Sequence, residues 1–107
     1  MGGEEIVTKH SPDSFFGTNL KDKLENKGVD ALVVCGMMTH MCIDTTVRSA
    51  RNHGYPVVLI EDAVATRDLL WQGTTVPAEQ VQYAYMAALN GAFAKVQTAD
   101  AWIEAHT

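Results

Sequence analysis

An α/β fold, a parallel sheet with helices on both faces in three Rossmann-like layers, is what this sequence predicts. Three observations carry the prediction. Apolar, β-prone runs alternate with helical runs across short turns. The runs Val29–Cys35 and Pro56–Ile60 are almost wholly apolar, as strands covered on both faces should be. Between them Ile43, Val47 and Ala50 recur at i, i+4 and i+7, with Asp44, Arg48 and Arg51 on the other side, which is the pattern of a helix lying on a sheet.

The elements follow in order. Glu4–His10 reads as a short strand centred on Ile6 and Val7, with Lys9 near its end. Ser11-Pro12-Asp13-Ser14 is turn chemistry, and a polar helix over about Asn19–Asn26 closes at Lys27-Gly28. The strand Val29–Cys35 breaks at Gly36. The helix that follows has Thr39 available as its cap and Gly54 as a left-handed stop. Pro56–Ile60 is the third strand and ends at Glu61-Asp62-Ala63. Thr66–Gln72 reads as a short helix or loop, broken by Gly73-Thr74-Thr75. Pro77 opens a helix over Ala78–Asn90 whose inner face holds Val81, Tyr85, Ala88 and Leu89. Ala92–Gln97 is a fourth strand, and Thr98 caps a last helix.

With 107 residues, 47% of them apolar, the chain forms a single domain over residues 1–107 with a modest core. A net charge of −5 and the lack of any Lys/Arg stripe argue against a nucleic-acid partner. No apolar run reaches the length of a membrane span and the amino terminus has no signal-peptide pattern, so the expectation is a cytoplasmic protein with no membrane partner. Two cysteines, one of them on a strand, build no disulfide framework and fit a reducing compartment. His40, His53 and His106 share no metal-ligand spacing, and neither metal nor cofactor is expected.

Chemistry concentrates at the turn after Gly36. Parallel sheets bind ligands at the carboxyl ends of their strands, where Lys9, Gly36–Cys42 and Asp62 gather. Cys42 falls in the first turn of a helix, where free N–H groups and the helix dipole favour an anion. A strand-to-helix turn can also aim two backbone N–H groups at one developing oxyanion. The alternative for Cys42 is a small buried hydrophobe, and for Lys9 a strand-end lysine reaching solvent.

Lys9, the segment Ser14-Phe15-Phe16-Gly17-Thr18-Asn19-Leu20, the run Val33–Thr46, His53-Gly54-Tyr55 and Asp62-Ala63 together resemble the isochorismatase-like cysteine hydrolases. The resemblance spans about Glu5 to Val96, and its core is a Gly-x-x-Thr-x-x-Cys turn with a lysine one strand–helix unit upstream. It implies hydrolysis of a C–N bond in a small amide or carbamoyl substrate through a thioester. Cys42 would be the nucleophile and Lys9 the cation beside it, with the N–H groups of Met38 and Cys42 as the oxyanion hole and a cis bond at Met37–Met38. It further implies a homo-oligomer.

The resemblance also implies an aspartate on an amino-terminal first strand and a sheet order 3-2-1-4-5-6. No aspartate here matches that motif, and only strands three to six are represented. The expectation is therefore a carboxyl-terminal portion of a longer hydrolase, inactive or weakly active as it stands. Phe15, Phe16, Thr39 and His40 are candidates for substrate contact; the alternatives are core packing for the phenylalanines, a plain helix cap for Thr39 and a polar turn residue for His40. Asp62 is expected to anchor a loop through backbone hydrogen bonds. Two other functions compete: a non-catalytic binding or assembly subunit lacking the aspartate, and a thiol redox sensor in which Cys35 would resolve an oxidised Cys42.

Overall fold

A computed structural model describes residues 4–107. The elements are α1 (Leu20–Asn26), β1 (Leu32–Met37), a π-helical turn (Thr39–Ile43) running directly into α2 (Asp44–Asn52), β2 (Val57–Ala65), β3 (Leu69–Trp71), β4 (Thr74–Val76), α3 (Ala78–Leu89), β5 (Lys95–Gln97) and α4 (Ala99–Ala105). Strands β1, β2 and β5 form one parallel sheet in that order, and β3 and β4 form a separate antiparallel hairpin.

The core lies between the sheet and its helices. Leu59, Leu89 and Val47 are fully buried, joined by Ile43, Ala50, Tyr55 and Val57. The helical stripe Ile43, Val47, Ala50 is the buried face of the turn and α2, as its period requires. On α3 the buried positions are Val81 and Leu89, with Tyr85 and Met86 partly covered; Ala88 is exposed, because the buried stripe centres between Tyr85 and Leu89. Thr98 caps α4 by accepting the Ala101 N–H at 3.1 Å, and Gly54 ends α2 at φ 92°.

Several expectations need correction. Glu4–His10 is not a strand: among the described residues no neighbouring strand satisfies its backbone, and it runs beside α1 with Glu5 paired to Lys23 and Lys27 at 3.4 and 3.9 Å. The strand read at Val29–Cys35 begins at Leu32 and is not covered on both faces. β1 is a sheet edge, with Val33 49% exposed and Cys35 exposed, whereas central β2 buries Val57, Leu59 and Ile60. β2 continues past Ile60 to Ala65. Residues 69–76 form the hairpin rather than a helix or loop, because Gln72 and Gly73 both take positive φ, 50° and 78°, and reverse the chain in two residues.

Candidate active site

The site is built where β1 gives way to α2. Gly36 takes φ 126°, a backbone conformation that a side chain resists, and an added Cβ would sit 3.5 Å from Ile43 Cδ1. The Met37–Met38 bond that follows is cis. The chain then winds into the π-helical turn, in which the Met41 and Ile43 N–H groups both donate to the Met38 carbonyl, at 3.0 and 3.2 Å. The Cys42 N–H lies between these two donors and takes no part in the pair.

Half-buried Cys42 is met from outside the turn by Lys9. The Lys9 ammonium donates to the carbonyls of Ser11 at 2.8 Å and Pro12 at 3.1 Å, and it reaches Cys42 Sγ at 3.3 Å. Three acceptors match the three N–H bonds of an ammonium, so the two carbonyls hold Lys9 as a fixed cation whose remaining N–H faces the sulfur. Thr46 on α2 secures the clamp: its hydroxyl accepts the Ser14 N–H at 3.0 Å and donates to the Pro12 carbonyl at 3.2 Å. The family resemblance paired Lys9 with Cys42 but gave no role to Thr46, which closes the run Val33–Thr46 and stands one turn beyond Cys42.

The four expected substrate contacts divide. Thr39 is fully buried, and its hydroxyl donates to Gln82 Oε1 at 2.8 Å; it belongs to the scaffold, and it does not cap the helix, whose first flanking residue is Met38. Phe15 is a core residue stacked on His53 at 4.7 Å and Tyr55 at 6.4 Å. Phe16 is 71% exposed and lines a recess of about 240 Å³ with His10, Ser11 and Gly17, next to the carbonyl clamp. His40 is half-buried, shares a hydrogen bond of 2.9 Å with Thr66 and meets Tyr85 edge-on, which ties the turn to the segment after β2. A larger hollow of about 420 Å³ opens at the opposite ends of the strands, between Pro56, Phe93 and Lys95, away from Cys42.

No carboxylate contacts Lys9 or Cys42 among the described residues. Asp62 accepts the Ala99 N–H at 2.8 Å, Asp68 the Ala78 N–H at 2.8 Å and Asp13 the Phe15 N–H at 2.9 Å, while Asp44 pairs with Arg48 at 2.9 Å. Asp62 thus anchors backbone, as expected. Among the described residues no group of three His, Cys, Asp or Glu side chains is placed to hold a metal, and no helix is long and apolar enough to cross a membrane.

An isochorismatase domain model matches residues 2–101. The uncharacterized isochorismatase family protein YddQ of Bacillus subtilis (strain 168) is 55% identical over 101 residues, covering 94% of this chain and 56% of that protein. Nicotinamidase 3 of Arabidopsis thaliana is 40% identical over 65 residues, covering 61% of this chain and 33% of that protein. A solved cysteine hydrolase from Pseudomonas syringae pv. phaseolicola 1448A superposes with a TM-score of 0.92 at 30% identity, over 97% of this chain and 49% of that one. The chain thus spans about half the length of YddQ and of the solved hydrolase. The chain belongs to the isochorismatase family.

Proposed function

We propose that this chain carries the nucleophile-bearing half of a cysteine hydrolase that cleaves a C–N bond in small amide-type substrates. The observation that carries the reading is the Lys9 ammonium fixed 3.3 Å from Cys42 Sγ by two backbone carbonyls. Cys42 Sγ attacks the carbonyl carbon, forming the S–C bond, and the C=O π pair moves onto oxygen. The N–H groups of Met38 and Cys42 receive that oxyanion. The C–N bond then breaks, the nitrogen leaves with an added proton as ammonia or an amine, and water cleaves the thioester to release the acid and restore the thiol. Lys9 stays an ammonium throughout and places positive charge where the sulfur carries negative charge. Taking the thiol proton of Cys42 as Sγ attacks, and passing it to the leaving nitrogen, calls for a carboxylate beyond the described contacts of Cys42. The Nicotinamidase 3 and cysteine hydrolase relatives support this reaction class.

The reading extends to self-association, supported by the exposed side chains of Leu70, Trp71 and Tyr83, and to a reducing compartment such as the cytoplasm, supported by two free cysteines. Acylation by p-nitrophenyl acetate tests the chemistry, because p-nitrophenolate leaves without needing a proton. The expected result, read by mass spectrometry, is an acetyl group on Cys42, none in Cys42→Ala, and slow ammonia release from primary amides by the same chain. Equal acetylation of Cys35 and Cys42 would contradict the reading and favour a non-catalytic binding subunit.

A further inference from the structure

We infer that Gln82 is a positioning residue for the oxyanion-binding turn, acting through Thr39. The inference rests on the hydrolase reading and goes beyond the residues that reading uses. Thr39 follows Met38 directly and opens the turn that ends just past Cys42. It is fully buried, so its hydroxyl needs a partner inside the protein, and Gln82 Oε1 accepts from it at 2.8 Å. The other end of the same carboxamide donates from Nε2 to the Glu61 carbonyl at 2.9 Å. One side chain on α3 therefore fastens the start of the turn to β2.

The Glu61 carbonyl is available for this because β2 bulges. Val34 pairs with Leu59 and Gly36 with Val64, so two steps along β1 match five along β2, and Glu61 lies in the unmatched stretch. Asp68, by accepting the Ala78 N–H at 2.8 Å, fixes the start of the helix that presents Gln82. Neither bond touches Cys42 Sγ or Lys9. Gln82 therefore governs where the turn's amides point without changing the sulfur's cationic neighbour.

That separation gives the test. Acylation by p-nitrophenyl acetate passes through an oxyanion, whereas alkylation by iodoacetamide displaces iodide at a saturated carbon and does not. Gln82→Met is expected to slow acylation of Cys42 about 10- to 100-fold while leaving its alkylation within about twofold. Thr39→Val is expected to match it, Thr39→Ser to restore the wild-type rate, and the double variant Thr39→Val/Gln82→Met to be no slower than either single one. Should Gln82→Met not fold, Gln82→Glu reads the same ratio, since it keeps the acceptor for Thr39 and loses the donor to Glu61. Parallel loss of both rates, or loss of neither, overturns the inference. A wild-type chain in which neither probe prefers Cys42 over Cys35 instead sinks the hydrolase reading, and this inference with it.

Discussion

Cys35 and Cys42 sit on either side of one strand-to-helix turn and share nothing else. Cys35 lies on the edge strand β1, exposed, with no hydrogen-bond partner for its sulfur among the described residues. Cys42 is half-buried, with an ammonium 3.3 Å from its sulfur and the backbone of a π-helical turn around it. Exposure alone would make Cys35 the reactive thiol. On the proposed hydrolase reading it is Cys42 instead, because attack on a carbonyl depends on how charge is held on sulfur and oxygen rather than on how easily solvent reaches the atom. The contrast also weighs against a redox pair, since the two sulfurs occupy different environments and both cysteines are free.

The largest expected effect tests that contrast by deletion. Cys42→Ala should lower acylation by p-nitrophenyl acetate at least about 1,000-fold, with Cys35→Ser within about twofold of wild type, read from p-nitrophenolate release. The same asymmetry should appear in stability between the two strands that flank the site. Leu59→Ala, at a fully buried position on β2, should cost about 3 kcal/mol in urea denaturation, and Val33→Ala on the open face of β1 about 0.5 kcal/mol or less. A smaller effect should follow loosening of the carbonyl clamp. Thr46→Val removes the hydroxyl that binds Ser14 and Pro12, and should cost about 1 kcal/mol while slowing Cys42 alkylation several-fold and leaving Cys35 unchanged.

Much of this was legible in the residues, for local reasons. The i, i+4, i+7 spacing of Ile43, Val47 and Ala50 marks a buried helical face whatever surrounds it, and Gly36 marks the turn. The pairing of Lys9 with Cys42 was legible through the family resemblance, since nothing in the spacing brings them together. The hairpin escaped because Gln72 is an unusual residue for a turn needing positive φ, so Gly73 reads as a plain break. The extension of β2 escaped because Glu61 and Asp62 read as a strand end, while the strand bulges and carries them outward. Thr39 fits an N-cap on paper; its burial against Gln82, distant in sequence, is a tertiary fact that no local pattern holds. The open face of β1 depends on what packs beside it, which an apolar run cannot report.

The most direct test of the central claim is a competition between the two thiols for limiting iodoacetamide, resolved by peptide mass spectrometry in wild type and in Lys9→Met. The account predicts that Cys42 is alkylated first despite its lower exposure. It also predicts that Lys9→Met slows Cys42 about 10- to 100-fold, the rate equivalent of a charge-assisted hydrogen bond, with Cys35 unaffected. Preferential labelling of exposed Cys35, or a Cys42 rate indifferent to Lys9, would contradict it.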